Sequence, residues 1–348
     1  MGEPSLSAPS AKAGQKETSS ARKWVVYFLK LAISLAIVAA LLVKYDTHKV
    51  LHSLTPMNMA SMFWIWFWML LGLWFHSWML QRALLPLGMK FRVLDLYKIN
   101  FQIRFYGLFL PGATNMLIKW HKLAKPTGQP GEALAVMAFT RMLHTFAMLF
   151  LTVLGMLLDT MFPWTHVKII GAGLLLVVAV SIVLTTSTIT GPYMDYIALA
   201  VLHRLPRNGV VQRKMQKLWG FFTSFRKIDL EGLLILMSLT VVGQIFQTFS
   251  QINIAHGAGM DITLATQFWI RGVILICAIV PISFSGLGVR EASMVGLMVY
   301  YGIPEQSALA YSLAVFGLTV GIGLIGGVCE AYEQFWPVRT QKHRKEVL

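Results

Sequence analysis

Long apolar runs separated by short polar segments dominate the chain. Runs of about 20 residues, which is the length that a helix needs to cross roughly 30 Å of hydrocarbon, recur along most of its length. They predict spans at 24–43, 59–80, 133–158, 167–184, 233–254, 264–282 and 308–328. We therefore expect an all-α, polytopic integral membrane protein with about 7–8 membrane-spanning helices. Residues 24–335 form its predicted membrane domain.

Two apolar stretches are interrupted by residues that break helices. Residues 101–118 contain Arg104 and the pair Pro111-Gly112, and the run that begins at 264 is broken within 281–288 and resumes as a short apolar piece at 292–301. Broken apolar segments in both halves of a chain are typical of discontinuous helices around a transport site. We expect each to enter and leave by one face. An ordinary turn between helices is the alternative for Pro111-Gly112.

Basic residues are concentrated in three segments, and this sets the predicted orientation. Four lie before residue 24, seven lie within 187–230, and four follow residue 335. Lys and Arg are retained on the cytoplasmic side. The pattern predicts a multi-pass protein of the cytoplasmic (inner) membrane with both termini in the cytoplasm. Residues 1–23 are expected to be a disordered tail, and residues 336–348 a basic tail.

Composition changes the expected partners of this positive charge. Hydrophobic residues make up 56% of the chain and charged residues 13%, and the net charge of +15 is divided among loops instead of forming one face. Anionic membrane lipids are therefore the expected partner, and nucleic acid is not. The loop at 187–230 has the basic, amphipathic pattern of a segment that lies on the inner leaflet. A solvated loop with a short helix is the alternative.

The polar turn at 281–291 is the most informative stretch for chemistry. Its glycines allow close approach of a ligand, and a helix that begins near Arg290 would direct its free N–H groups at the turn. Arg290 could bind a phosphate in a bidentate way, while Glu291 could neutralise Arg290 or cap the helix. The predicted substrate-binding residues here are Ser283, Ser285, Gly286, Gly288, Arg290 and Glu291. The alternative is a pair of charges that anchors a helix end at the interface.

Other polar residues within apolar runs complete the candidate substrate site. Ionisable groups inside a membrane are functional candidates because burying them in lipid is unfavourable. The residues are Pro111, Asn115, Lys119, Arg141, His144 and Arg271, with Arg141 and His144 placed near the start of a span. A hydrogen-bonded helix contact is the alternative for His144. Four glycines with small-residue spacing, Gly317, Gly321, Gly323 and Gly327, predict close helix packing.

Motifs for several enzyme classes are missing from the sequence. There is no phosphate-binding loop of the Gly-x-x-x-x-Gly-Lys type, no His-Glu-x-x-His zinc motif and no Gly-x-Ser-x-Gly nucleophile elbow. The nine histidines have no metal-ligand spacing, and two cysteines cannot form a Cys-x-x-Cys site. We therefore expect no catalytic residue, no metal and no cofactor in this chain.

The string Pro-Ile-Ser-Phe-Ser-Gly-Leu-Gly-Val-Arg-Glu at 281–291 resembles a motif of a known family. The chain is similar, over about residues 24–335, to the membrane region of lysylphosphatidylglycerol synthases and their stand-alone flippase-like relatives. The resemblance implies a translocase that moves a phospholipid or lipid-linked head group between leaflets. The family's aminoacyl-transferase domain would need several hundred further residues, so we expect the stand-alone form. The sequence departs from the family where Thr140 precedes Arg141 and where His144 replaces an acid.

Two other functions remain open at this point. A membrane-embedded transferase for lipid head groups would use Glu291 as its acid or base, whereas a non-catalytic partner of a lipid-modifying enzyme would need neither Arg290 nor Glu291. A homo-oligomer is also compatible with the sequence. Which lipid is moved, in which direction and with what energy source are not encoded in any motif.

Overall fold

The computed structural model describes residues 57–110, 112–162, 164–186, 196, 229–279 and 288–335. The expected span at 24–43, both predicted tails and nearly all of the loop at 187–230 lie outside these residues. Four predicted site residues also lie outside them, namely Pro111, Ser283, Ser285 and Gly286. Within the described ranges every regular element is a helix, which confirms the all-α prediction.

The helices follow the predicted apolar runs closely. Those with described bounds are α1 (Met59–Leu84), α2 (Val93–Phe109), α3 (Gly112–Thr127), α4 (Pro130–Leu158), α5 (Thr165–Thr186), α6 (Leu230–Gly257), α7 (Leu264–Ile279), α8 (Val289–Tyr300) and α9 (Glu305–Phe335). In the described part of the chain, α1, α4, α6 and α9 are long and apolar enough to cross a membrane.

Polar capping residues fix the starts of two of the long helices. The Asn58 side chain accepts a hydrogen bond from the Ser61 backbone N–H at 2.7 Å, and this starts α1. Asp229 accepts one from the Gly232 backbone N–H at 2.9 Å and starts α6. Each cap satisfies an N–H that has no partner within the helix.

Helices α2 and α3 form an antiparallel hairpin, which we call the first hairpin. Lys119 of α3 donates to Asn100 Oδ1 of α2 at 3.2 Å, and Lys122 donates to Gln102 Oε1 at 3.0 Å. The open end lies beside the start of α4, where Trp120 Nε1 donates to the Pro130 carbonyl oxygen at 2.8 Å. The predicted break is therefore confirmed, and the chain returns to the end from which α2 began.

Helices α7 and α8 form a second hairpin, which opens at the other end of α4. Thr266 and Trp269 of α7 and Tyr301, which follows α8, all donate to Asp159 Oδ2, at 3.0, 2.9 and 2.5 Å. Asp159 caps the C-terminal end of α4, a helix of 29 residues that is about 43 Å long. The two hairpins therefore open at opposite ends of the same long helix.

Small residues allow the first hairpin to lie directly against α9. A Cβ atom added at Gly326 would stand only 2.0 Å from the Phe101 carbonyl oxygen, so the two backbones are in contact there. The packing prediction is confirmed at three of its four glycines: Gly321, Gly323 and Gly327 face Trp66, Leu108 and Phe105. At Gly317 no atom of the described residues lies within 4 Å of an added Cβ, so packing there stays a prediction.

Candidate functional site

A pair of histidines lies near the centre of the membrane domain. His76 Nε2 of α1 lies 2.9 Å from His144 Nδ1 of α4, and the Gln244 amide nitrogen of α6 lies 2.9 Å from His144 Nε2. His144 is the fifteenth residue of the 29 in α4, and Gln244 is the fifteenth of the 28 in α6. The pair is therefore close to the midpoint of two helices that are long enough to cross the bilayer.

Arg271 of α7 is held in place beside this pair. Its guanidinium donates to both the carbonyl oxygen and the side-chain oxygen of Gln244, each at 3.1 Å, and to the Thr248 hydroxyl. Gln244 and Thr248 are fully buried. Uncharged acceptors thus fix the direction of this arginine, and no carboxylate of the described residues forms an ion pair with it.

Three further cations, Arg104, Lys119 and Arg141, lie within electrostatic range of the same histidines. The charge of Arg104 acts on His76 and His144, and the charge of Arg141 acts on His144 and Lys119. Arg104 lies deep among protein atoms yet remains partly exposed, and Arg141 is exposed. We call this group the cationic cleft, and its residues are His76, Arg104, Lys119, Arg141, His144 and Arg271.

No carboxylate pairs with the cationic cleft in the described ranges. The ion pairs found there join Lys122 to Glu330 at 2.7 Å and to Glu333 at 3.6 Å, and Arg290 to Glu291 at 2.5 Å. A charge at the centre of a bilayer costs about 3 kcal/mol in insertion experiments, and by default it marks a functional position. The charges of the described residues therefore suit an anion at this position.

A buried polar path leads from the cationic cleft toward the start of α8. Gln267, one turn before Arg271, donates to Gln251 Oε1 at 2.9 Å and to the Tyr311 hydroxyl at 2.7 Å. Tyr311 is fully buried and lies in electrostatic range of both Arg271 and Arg290. The Gln267 side-chain oxygen has no hydrogen-bond partner in the described part of the chain.

Helix α8 starts next to Arg290, as predicted. The side chain of Glu291, in its first turn, accepts the backbone N–H of Gly288. Gly288 has a φ of +84°, a left-handed backbone that a residue with a Cβ adopts only with strain, and it precedes the first residue of α8. Glu291 accepts the Gly288 backbone N–H at 2.6 Å and the Arg290 guanidinium at 2.5 Å. Arg290 also lies over the Phe316 ring, 5.5 Å from its centroid. Ligand binding by this turn stays a prediction.

The structure brings together four of the predicted site residues, Lys119, Arg141, His144 and Arg271. Gly288, Arg290 and Glu291 form a separate group that is linked to them through Tyr311. Asn115 faces Gly107 across the first hairpin, with its Nδ2 3.1 Å from an added Cβ.

One positional prediction is wrong. The sequence placed Arg141 and His144 near the start of a span, but α4 begins at Pro130, and both residues lie in its middle. The apolar run begins only at residue 133, whereas Pro130 at the first helical position and Glu132 in the first turn both favour an earlier helix start.

Three residues of this region were missed as site candidates, namely His76, Arg104 and Gln244. Within α6, Gln244, Gln247 and Gln251 recur at spacings of three and four residues in an otherwise apolar helix. Such spacing places polar side chains on one face, so this stripe indicated a polar interior. No local pattern pairs His76 with a residue 68 positions away.

A second buried polar cluster surrounds Asp159 at the end of α4. Besides Thr266, Trp269 and Tyr301, the Met161 backbone N–H donates to this carboxylate, at 2.9 Å. Burial by itself would raise the pKa of Asp159, but the hydrogen bonds outweigh it and lower the pKa below its ordinary value. The carboxylate is therefore ionised and fully satisfied.

Comparison with known protein families gives one match that covers most of the chain. The family model described as the lysylphosphatidylglycerol synthase TM region matches residues 27–327. The matched range includes both hairpins and every residue of the cationic cleft. No curated protein sequence matches the chain.

Proposed function

The chain belongs to the lysylphosphatidylglycerol synthase TM-region family, and from this premise we propose that it is a translocase for a phospholipid or a lipid-linked head group. The cationic cleft is the observation that supports the proposal. It groups four positive side chains around His76 and His144, of which His144 lies at the midpoint of α4. A lipid head group that crosses between the leaflets must pass this depth.

The physical task of a translocase matches these residues. Moving a charged head group through bare hydrocarbon is strongly unfavourable, so the protein must supply polar groups along the way while the acyl chains stay in lipid. Arg104 and Lys119 belong to the first hairpin and Arg271 belongs to the second. The cleft is thus built from elements that open at opposite ends of α4, as a site between two leaflets requires.

Each residue of the cleft has a distinct proposed role. Arg104 and Arg141 offer planar guanidinium groups, which bind phosphate through two parallel hydrogen bonds, whereas Lys119 acts as a point charge. Arg271 is fixed by Gln244 and Thr248 and contributes positive potential. The His76–His144 pair supplies further hydrogen-bond donors, and their number depends on how many ring nitrogens are protonated.

The proposed orientation places the termini and the loop at 187–230 in the cytoplasm. The first hairpin then opens toward the cytoplasm and the second toward the outside. Reporter fusions at residues 210 and 348 should both report cytoplasm, and a fusion at residue 162 should report the outside. A C-terminus outside the cell would contradict this orientation and exchange the two hairpins.

Transport by purified protein in liposomes tests the proposal directly. The substrates are tail-labelled phosphatidylglycerol, phosphatidic acid and phosphatidylcholine, and the measurement is the rate at which each becomes accessible to a quencher outside. We expect the protein to accelerate at least one anionic lipid above empty liposomes. Arg271→Gln should reduce that rate about tenfold or more, since it removes a charge-assisted contact.

A matched control separates this effect from a general loss of charge. Lys125→Gln removes a cation from an exposed position at the end of α3 and should leave the rate unchanged. Both variants must first elute as single monodisperse species. Rates equal to those of empty liposomes for all three lipids would refute the translocase and favour a non-catalytic partner of a lipid-modifying enzyme.

A further inference from the structure

We propose that the His76–His144 pair is a proton-binding site that couples lipid translocation to a proton gradient, and that Gln244 transmits the binding of the proton to Arg271. The inference rests on the proposed function and deepens it by naming an energy source. It follows from a chain of hydrogen bonds that joins Arg271 to the Gly72 carbonyl group through these three side chains.

Two groups with fixed roles stand at the ends of this chain. Arg271 can only donate, and its guanidinium lies 3.1 Å from the Gln244 side-chain oxygen. The Gln244 amide nitrogen, also a donor, therefore faces His144, at 2.9 Å from Nε2 and 3.0 Å from Nδ1. At the other end the Gly72 carbonyl oxygen can only accept, and it lies 2.9 Å from His76 Nδ1. His76 therefore carries a proton on Nδ1.

These fixed ends determine where the protons lie when both rings are neutral. His76 with its proton on Nδ1 has a lone pair on Nε2, and this atom lies 2.9 Å from His144 Nδ1. His144 therefore donates through Nδ1, and its unprotonated Nε2 accepts from Gln244. The Gln247 amide, whose nitrogen lies 3.2 Å from His76 Nδ1, fits the same arrangement when a half-turn presents its oxygen there.

A third proton on the pair would act on Gln244. The contact between His76 Nε2 and His144 Nδ1 holds one proton, so an added proton that keeps this contact must bind to His144 Nε2, opposite the Gln244 nitrogen. Two donors would then face each other, and a half-turn of the Gln244 amide relieves this by offering its oxygen to the imidazolium. The same half-turn takes that oxygen away from Arg271 and frees one N–H of the guanidinium for an oxygen of the ligand.

The charged groups that face the pair make the third proton depend on an anion. They are Arg104 of α2, Lys119 of α3, Arg141 of α4 and Arg271 of α7, whereas α6 contributes the uncharged Gln244 and Gln247. Nearby cations oppose an imidazolium. An anionic head group that accepts the freed N–H of Arg271 would offset this, so the proton and the head group would each favour binding of the other. Both rings keep part of their surface exposed, which gives a proton access to them.

The protonation of the pair can be measured without transport. The full chain with 15N-labelled histidine is placed in phosphatidylcholine bilayers with or without phosphatidylglycerol, and solid-state NMR identifies the protonated ring nitrogens. Signals of the pair are assigned by their loss in His76→Gln and His144→Gln. At pH 8 we expect both rings to be neutral and protonated on Nδ1. At pH 6 the imidazolium signal should be about tenfold stronger with phosphatidylglycerol than without it.

Two substitutions of one kind on α6 test the role of Gln244. Gln244→Glu keeps the shape of the side chain and can accept from His144 and from Arg271 at once, so the imidazolium should appear at pH 6 without phosphatidylglycerol. Gln251→Glu, two turns further along α6, adds the same charge where Gln267 donates and should leave the pair neutral. Equal imidazolium signals in the two variants would overturn the role of Gln244.

A pH gradient across liposomes tests the coupling itself. Tail-labelled phosphatidylglycerol is present in trace amount, valinomycin with equal potassium on both sides holds the membrane potential at zero, and the leaflet distribution of the label is measured at equilibrium. If one proton accompanies each head group, a gradient of one pH unit should hold about tenfold more label in the leaflet that faces the alkaline side. Empty liposomes under the same gradient provide the baseline.

A matched pair of histidine variants locates the coupling. His144→Gln removes the nitrogen that takes up the third proton and should show no excess of label on the alkaline side. His121→Gln, on an exposed position of α3, should retain the excess. An excess in His144→Gln equal to that of the wild-type protein would overturn the assignment to the pair.

The remaining outcomes separate this inference from the proposed function. Wild-type protein that moves the label but distributes it equally under the gradient would overturn proton coupling and leave the translocase standing. A proton on His144 Nε2 at pH 8, or an imidazolium signal that phosphatidylglycerol does not change, would overturn the hydrogen-bond chain. Protonation that depends on phosphatidylglycerol, together with no transport of any lipid, would refute the translocase and leave the proton site standing.

Discussion

The cationic cleft and the cluster around Asp159 are both polar groups in the same membrane domain, yet their charged groups differ in how many protein hydrogen-bond partners they have. Asp159 bears one charge and accepts four hydrogen bonds from the protein. The cleft has four cations, and two of these, Arg104 and Arg141, receive no acceptor from the residues that the structure describes. Among the described residues of the two groups, only the Asp159 carboxylate has all of its charge met by protein donors.

From this difference we predict a structural role for the Asp159 cluster and a ligand-binding role for the cleft. A buried charge that is fully hydrogen-bonded holds helices together, because removing any partner leaves the others unsatisfied. Asp159 joins the end of α4 to both arms of the second hairpin in this way. Charges that lack partners do not stabilise the fold. They persist in a membrane protein when something outside the chain completes them.

The largest effect is expected when a counterion is supplied inside the cleft. Arg104→Glu places a carboxylate among Lys119, Arg141 and Arg271 and so closes the cleft as Asp159 closes its own cluster. Transport in liposomes should fall about 100-fold or more, since one favourable contact is replaced by repulsion of the phosphate. The apparent Tm of the ligand-free protein should stay equal or rise. A large drop in Tm would show that Arg104 stabilises the fold and would contradict the comparison.

The opposite pattern is expected at the Asp159 cluster. Asp159→Ala removes the acceptor of four donors and should destabilise the protein by about 3 kcal/mol or more, because buried donors are left unpaired. Denaturant titration of the purified variant measures this change. Transport per correctly folded molecule should be unchanged. A folded Asp159→Ala protein of normal stability that does not transport would assign the cluster to the site instead.

A milder change at the same cluster tests whether its bonds are individually important. Tyr301→Phe removes the shortest of the donors, at 2.5 Å, and keeps the ring that packs against Trp269. The expected loss is about 1.5–3 kcal/mol, the range for a hydrogen bond to a charged group. Tyr300→Phe on the neighbouring, exposed residue is the control. Equal effects of the two variants would mean that Asp159 does not depend on Tyr301.

The smallest effect is expected on the apparent Tm when the pH is lowered. The hydrogen bonds lower the pKa of Asp159 below its unfolded value, so their stabilisation is complete above that value, about 4, and is lost as the pH falls through the folded value. The apparent Tm of the wild-type protein should therefore fall more between pH 6 and pH 3 than that of Asp159→Asn. Parallel curves for the two proteins would show that another group controls acid stability.

The sequence predicted the helices well because hydropathy alone determines which segments can lie in lipid. The spans at 59–80 and 233–254 became α1 and α6 with ends that differ by no more than four residues, and the earlier start of α6 follows from its cap Asp229. The break at Pro111-Gly112 was also recognisable, because these residues disrupt helices locally. Helix positions and helix breaks depend on residues that are close together along the chain, so the sequence predicts them directly.

The composition of the cleft could be predicted only in part. Arg141, His144 and Arg271 were recognised because each is a polar residue in an apolar run, but their common position depends on how α4, α6 and α7 pack. Arg104 was visible as a charge within a broken segment and was not assigned to the site. Its proximity to His76 arises from the fold of the first hairpin, for which the sequence contains no pairwise information.

The packing of the first hairpin against α9 makes the two move as one stiff unit. Its base is held by the backbone contact between Gly326 and Phe101 and by the ion pair of Lys122 with Glu330. The contacts continue along the arm, because Gly327 faces Phe105 and Gly323 faces Leu108. The arm runs from Phe101 to the tip at Leu110, about 14 Å of helix. A tilt of α9 would therefore carry the arm with it, and Arg104, about 5 Å from the base, would move about a third as far as the tip.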